Sequence, residues 1–167
     1  NMPAGLSALT PLANTTLASS ASSITFSSIV GTYRDLILVV ANYKASTDIT
    51  AYIRFNSDTG SNYSQTYLVG NGSAAYAGQS SGTKFDIGYF TYASNSDSGY
   101  SMIVNVMDYT ATDKHKTALI RSNRAGVGSE TFATRWASTA AITAISLTAS
   151  TGTFSIGTSF ALYGVSA

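Results

Sequence analysis

The stretch TRWASTAAITAISLTASTGTFSIGTSFALYGV, residues 134–165, decides the fold class. Apolar residues alternate with Ser and Thr over residues 145–149, and after a Ser-Thr-Gly turn Phe154 and Ile156 resume the alternation. A period of two directs one set of side chains to a core and the other set to solvent, as in half-buried β-strands. The segment therefore predicts two or three antiparallel strands of a β-sandwich.

Shorter stretches of the same kind occur along the whole chain and are separated by turn residues. They predict strands at residues 23–29, 35–42, 49–55, 63–69, 84–92, 100–108 and 115–123. Residues 35–42 are apolar on both faces, which is typical of a central strand that is covered on both sides. Residues 73–83 are mostly small and are predicted to form a loop.

No stretch of useful length has the 3.6-residue period of a helix. Short strands with frequent turns are typical of an antiparallel sandwich or barrel. We therefore predict an all-β chain in which residues 13–167 form a single antiparallel, jelly-roll-like β-sandwich. Residues 1–12 contain both prolines of the chain, Pro3 and Pro11, and are predicted to form an extended N-terminal arm.

The low charge of the chain limits its possible partners. Charged residues make up 10% of the sequence, against about 25% in an average soluble domain, and the net charge is +1. No basic stripe is present, so a nucleic-acid surface is not expected. The lack of cysteine excludes disulfides and thiolate metal sites, and no apolar run reaches the roughly 20 residues of a membrane helix. Cofactors and membrane insertion are therefore not expected.

Residues that could carry catalysis or bind a metal are few. His115, the single histidine, stands between two lysines with no nucleophile motif nearby, so we predict a solvated side chain rather than a catalytic triad. The eight acidic residues are scattered. The DTGSN segment offers too few carboxylates for calcium and is interpreted as a turn capped by Asp58 and Asn62. We predict no catalytic, cofactor-binding or metal-binding residue and no enzymatic activity.

Tyrosine is abundant, with eleven residues in the chain. Five that lie in or beside central turns are candidates for ligand binding: Tyr63, Tyr67, Tyr76, Tyr92 and Tyr100. Tyrosine mixed with Ser, Gly and Asn is typical of adaptable recognition surfaces, because a rigid amphipathic ring loses little entropy on binding. The alternative is that half of these rings cap the sandwich core. Trp136 is expected to be a core or interface anchor.

Several stretches, taken in order, point to a known family. They are SSITFSSI at 22–29, TYRDLILVV at 32–40, FNSDTGSNYSQTYLVGNGS at 55–73, VMDYTATDKHKTALI at 106–120 and RWASTAAITAISLTASTGTFSIGTSFALYGV at 135–165. This arrangement resembles β-sandwich domains of tailed-bacteriophage virions, of the minor tail or tail-fibre type, which also occur as small standalone virion proteins. The resemblance covers nearly the whole chain after residue 13.

The resemblance implies a structural or adhesive role at the surface of the phage particle. It implies a tail-fibre or tail-tip domain that recognises host-surface glycans and contacts other virion proteins of the tail or the capsid. A capsid decoration or cement protein is the alternative, and a polysaccharide-degrading tail enzyme with two catalytic carboxylates is a minor one. A homotrimer is the oligomeric state that the resemblance implies. The family carries no catalytic motif that could be transferred to this sequence.

Overall fold

The computed structural model describes residues 8–43, 50–87, 100–124 and 126–166. This part of the chain forms twelve β-strands and no α-helix. The strands are β1 (Leu9–Thr16), β2 (Ser23–Phe26), β3 (Asp35–Tyr43), β4 (Ala51–Phe55), β5 (Tyr63–Gly70), β6 (Ala75–Gly82), β7 (Phe85–Ile87), β8 (Tyr100–Met107), β9 (Lys116–Arg124), β10 (Gly128–Trp136), β11 (Ile145–Ala149) and β12 (Ser159–Val165).

The strands form two sheets in which every pairing is antiparallel. The larger sheet has eight strands in the order β1-β12-β3-β8-β9-β10-β5-β6, and the smaller has four in the order β2-β11-β4-β7. One cluster of buried apolar side chains draws on both sheets, for example Leu38 and Ile120 from the larger and Ile53 and Leu147 from the smaller. The all-β sandwich that the sequence predicts is therefore confirmed.

Strict alternation of burial shows why the sequence pattern gives this fold. In β9, Ala118 and Ile120 are buried between the sheets, whereas Thr117 and Leu119 are exposed on the opposite side. We call the side of the larger sheet that faces the smaller sheet its inner face, and the opposite side its outer face. Successive side chains of a strand point to opposite faces, so a residue and its direct cross-strand partner share a face.

The C-terminal stretch differs from its prediction, because its two strands do not pair with each other. β11 lies in the smaller sheet and β12 in the larger. Gly152 and Gly157 have φ values of 67° and 84°, which turn the chain from one sheet to the other. Between them Phe154 makes an isolated bridge to Ala21, and Ile156 is exposed rather than part of a third strand.

Strand β3 is central in the larger sheet but is not covered on both sides by the described residues. Leu36, Leu38 and Val40 are buried on the inner face. Ile37 and Val39 point to the outer face and are only half-buried. The apolar pattern therefore predicted the central position of β3 correctly. The prediction that both faces of β3 are covered is wrong for the described part of the chain.

Strand β6 corrects the loop predicted for residues 73–83. Its eight residues pair one by one with β5, from Tyr63 opposite Gly82 to Gly70 opposite Ala75. Apolar and polar residues do not alternate along this segment, and most of its side chains are exposed on both faces of the sheet. Where neither the side-chain pattern nor the residue propensity favours a strand, pairing with the neighbouring strand β5 therefore determines the backbone conformation.

Strand β1 crosses the boundary predicted between the arm and the sandwich. Residues 9–16 pair with β12 at the edge of the larger sheet, so the described end of the predicted arm belongs to the sheet. Within the strand predicted at 84–92, the described residues form β7 over Phe85–Ile87, and residues 88–92 lie outside the described residues.

Candidate binding surface on the β5–β6 hairpin

Two of the five candidate tyrosines belong to the core. Tyr63 is 1% exposed and Tyr100 is 2% exposed. The Tyr63 ring packs edge-on against Phe85 with centroids 4.9 Å apart, and its hydroxyl accepts a hydrogen bond from the Phe55 backbone N–H at 3.2 Å. Their assignment to a ligand-contacting loop surface is corrected, because the start of β5 and the start of β8 turn these rings between the sheets.

Tyr67 and Tyr76 lie on the inner-face side of the β5–β6 hairpin. Tyr67 is half-buried over Gly78, where an added methyl group would stand 2.5 Å from the Tyr67 hydroxyl, and its ring centroid lies 6.1 Å from that of Phe132. Tyr76 is 44% exposed. Both are strand residues rather than loop residues. Tyr92 lies outside the described residues.

A polar groove on the outer face of β10, β5 and β6 is the feature of this hairpin that sequence reasoning missed. Its floor is the backbone of Thr134, Gln65 and Ser80, which are direct cross-strand partners. Two rows of outward side chains form its walls: Arg135, Ser64 and Ser81 on one side, and Ala133, Thr66 and Gln79 on the other. The groove has a volume of about 610 Å³.

The groove combines hydroxyl and amide groups with one cation. Arg135 is exposed, and no carboxylate in the described part of the chain lies within ion-pair distance of it. The hydroxyls and the Gln79 amide can each donate and accept hydrogen bonds, whereas the guanidinium only donates. Such a set suits a ligand rich in hydroxyl groups that also carries a negative charge. The alternation of Ser, Thr and Arg at outward positions was the only sequence signal of this groove.

The Asp58 loop is a hydrogen-bonded turn in which Asp58 caps the backbone, as the sequence predicted, whereas the Asn62 side chain donates to Asp58 and the loop is also joined to the core through Trp136. The Asp58 carboxylate accepts hydrogen bonds from the Gly60 backbone N–H at 2.8 Å, the Asn62 side-chain amide at 2.8 Å and the Trp136 indole N–H at 2.6 Å. The Trp136 hydrogen bond, with the one from Asn62, holds the pKa of Asp58 below its usual range. Trp136 is 3% exposed and is therefore an anchor in the core, one of the two positions that the sequence predicted for it.

The remaining ionisable residues include one exposed histidine and one buried lysine. His115 is exposed immediately before β9, as predicted. Within residues 8–43, 50–87, 100–124 and 126–166 no group of three or more His, Cys, Asp or Glu could hold a metal ion. Lys116 is fully buried, and its ammonium donates to the backbone carbonyls of Lys114 at 3.1 Å and Thr139 at 3.2 Å. Burial lowers the pKa of Lys116.

The outer face of the larger sheet also exposes apolar side chains. Leu68 is 63% exposed, Leu119 is 48% exposed and Met107 is 36% exposed. They stand on β5, β9 and β8, on the same face as the groove. Met107 and Leu119 stand on neighbouring strands, diagonally across the pairing of β8 with β9, so these two side chains are open to contact with another protein.

Comparisons with protein-family models, with curated proteins and with solved structures give no match for this chain. In the described part of the chain, no helix has the length and apolar character needed to cross a membrane.

Proposed function

We propose that this chain is a non-enzymatic structural domain on the surface of a tailed-phage particle, with a jelly-roll-like sandwich that binds host-surface glycans. The observation that carries the proposal is the polar groove on β10, β5 and β6. The sequence resemblance to phage tail domains supports the location, and the groove supplies a surface for the ligand. The homotrimer and the contacts with other virion proteins remain predictions from that resemblance.

The groove favours an acidic sugar. Rows of hydroxyl and amide groups can form hydrogen bonds with the hydroxyls of a pyranose ring. Arg135 can donate two parallel hydrogen bonds to a carboxylate, as found in sialic and uronic acids. Because the groove is shallow and lies on an open sheet face, a single site is expected to bind weakly, and repeated copies on a particle would raise the avidity.

The test is glycan binding by the purified chain and by two arginine variants. Arg135→Ala removes the cation of the groove, and Arg121→Ala removes a similarly exposed outer-face arginine that does not line it. We expect Arg135→Ala to weaken binding to carboxylated oligosaccharides about 10-fold or more, because a hydrogen bond to a charged group contributes about 1.5–3 kcal/mol. Arg121→Ala should bind as the unaltered chain does.

Two results would contradict the glycan proposal. The first is equal loss of binding in the two variants, which would indicate non-specific attraction to positive charge. The second is no binding to host cells or envelope glycans by a multivalent form of the chain. Gold labelling of intact particles tests the location separately, because it distinguishes tail from capsid.

The exposed apolar residues favour a second function, that of a capsid decoration protein. Leu68 and Leu119 would then be covered by a capsid subunit. Leu119→Ser should release the protein from capsids while leaving glycan binding unchanged, and labelling confined to the tail would exclude this function. The polysaccharide-degrading alternative remains a prediction, and release of reducing ends from host capsule is its test.

A further inference from the structure

Two cationic side chains lie against one tyrosine ring on the side of the smaller sheet that faces away from the larger sheet. The guanidinium carbon of Arg54 is 4.9 Å from the centroid of the Tyr52 ring, and the ammonium nitrogen of Lys84 is 4.5 Å from it. Tyr52 and Arg54 alternate in β4 with buried residues, so both side chains point outward. An aromatic ring attracts a nearby cation through its quadrupole, and Tyr52 therefore helps to hold both charges in place.

The strand register sets these two positive charges beside each other. Ile53 of β4 is the direct partner of Phe85 of β7. The next position along this antiparallel pair places Arg54 beside Lys84. Like charges at neighbouring positions of two strands repel, and opposite charges are the favourable arrangement there. An anion bound between the two cations would remove this repulsion.

Both cations are held in position and keep donors for a ligand. The Arg54 Nε–H donates to the Thr83 backbone carbonyl at 3.0 Å, and its two terminal amino groups make no hydrogen bond within the described part of the chain. The Lys84 ammonium lies 3.0 Å from Asp86 Oδ1, and these side chains are 31% and 53% exposed. An ion pair this exposed contributes little, so an incoming anion can compete with Asp86 for Lys84.

The charges around this site leave an excess of positive charge. Asp86 is the one carboxylate that forms an ion pair with either cation among the described residues. Asp58 is close enough to attract Arg54, but its carboxylate takes its hydrogen bonds from other residues. The guanidinium of Arg54 therefore has no carboxylate bonded to it in the described part of the chain and is available to an anionic ligand.

A row of hydroxyl groups continues from the cations across the smaller sheet. Ser146 of β11 is the direct partner of Arg54, and Thr25 of β2 is the direct partner of Ser146. Direct partners share a face, so both hydroxyl side chains lie on the same side of the sheet as Arg54. The Ser146 hydroxyl donates to the Arg54 backbone carbonyl at 3.4 Å, and its oxygen can still accept. The row can therefore bind polar groups that adjoin an anion.

We propose that Arg54 and Lys84 form a binding site for a phosphate group on the outward side of the smaller sheet. A guanidinium can donate two parallel hydrogen bonds to two phosphate oxygens, which leaves a third oxygen for the lysine ammonium. A carboxylate has only two oxygens, which the guanidinium alone can occupy, so phosphate suits two adjacent cations better. This site and the polar groove lie on opposite sides of the sandwich, and the inference is independent of the glycan proposal.

The test is a titration of the purified chain with inorganic phosphate near neutral pH, at an ionic strength held constant with sodium chloride. Heteronuclear NMR follows the Nε–H resonance of Arg54, which is identified by its loss in Arg54→Ala. We expect a saturable shift of this resonance with a Kd on the order of 1 mM, because water and salt screen exposed charges. A shift that does not saturate, or that chloride alone reproduces, would overturn the inference.

Two substitutions should change phosphate binding in opposite directions. Lys84→Ala removes one cation and should weaken binding about five-fold. Asp86→Asn removes the carboxylate that competes for Lys84 and should strengthen binding about two-fold. If these side chains formed only a structural ion pair, neither substitution would alter phosphate binding. Lys114→Ala is the matched control, because the Lys114 ammonium also pairs with an aspartate, 2.6 Å from Asp108 Oδ2, outside the site.

A short glycerol phosphate oligomer distinguishes the two sources of a phosphate group. Tighter binding of the oligomer than of inorganic phosphate would identify a phosphodiester polymer as the ligand, with the hydroxyls of Ser146 and Thr25 contacting its glycerol units. Equal affinity would identify free phosphate. Equal weakening by Lys84→Ala and Lys114→Ala would show attraction to overall charge and refute the site. Far-UV circular dichroism checks that each variant is folded.

Discussion

Replacing Asp58 with alanine is expected to lower the free energy of unfolding by about 2–5 kcal/mol. The largest part comes from Trp136, whose indole N–H donates to the Asp58 carboxylate at 2.6 Å and whose ring is 3% exposed. Without the carboxylate this donor is buried and unsatisfied, which costs about 1–3 kcal/mol. The hydrogen bonds from Asn62 and Gly60 lie in a more exposed turn, and each is expected to add about 0.5–1 kcal/mol.

The same interaction predicts a dependence of stability on pH. The Trp136 hydrogen bond, followed by that of Asn62, lowers the pKa of Asp58 below 3.8. A carboxyl group with a lowered pKa in the folded state stabilises the fold above its unfolded value and loses that contribution as pH falls through the folded value. The difference in stability between the unaltered chain and Asp58→Ala should therefore be constant near neutral pH and shrink as the solution is acidified below pH 3.8.

Urea unfolding measures both effects, because Trp136 is the only tryptophan of the chain and its fluorescence reports directly on this site. Circular dichroism at the same urea concentrations shows whether a change in indole fluorescence accompanies unfolding of the chain or is only a change in the indole spectrum. Asp113→Ala serves as the control, since Asp113 is an exposed acid. If Asp58→Ala lost no more stability than Asp113→Ala, the argument that the turn anchors the core through Trp136 would be refuted.

Three further predictions concern the core. Desolvation raises the pKa of Tyr63 to about 12, so stability should fall as pH rises from 10 towards 12. Tyr63→Phe should reduce that fall in urea titrations, and Tyr109, whose pKa burial also raises, contributes to what is left of it. Lys116→Met should change stability by less than about 1 kcal/mol at pH 7, because the methionine avoids burying a charge. Because burial lowers the pKa of Lys116 in the folded state, the unaltered chain should gain stability as pH rises towards 10.5. Lys116→Met should abolish this gain, and unfolding at a series of alkaline pH values measures it. Gly164→Ala should destabilise the fold by about 1–3 kcal/mol through overlap with the Tyr33 ring, and Tyr33→Ala should add less in that background than alone, as a double-mutant cycle would show.

Much of the fold follows from period-two alternation, because the core lies on one face of each long strand. The pattern MIVNV within β8 places Met102, Val104 and Val106 inward, as the structure confirms. The same pattern cannot say which strands are neighbours. Strands β11 and β12 are adjacent in sequence but lie in different sheets, and the positive φ of Gly157 is a property of the folded chain that its alternation does not reveal.

The candidate surface was less predictable than the fold, for a physical reason. Tyrosine has an apolar ring and a polar hydroxyl, so composition alone could not separate the buried Tyr63 from the exposed Tyr76. Strand β6 has small side chains on both faces and therefore no hydrophobic period to read. The groove depends on β6, because β6 supplies one residue to each wall: Ser81 beside Ser64 of β5, and Gln79 beside Thr66 of β5. A surface made by an unrecognised strand could not be assembled from the sequence.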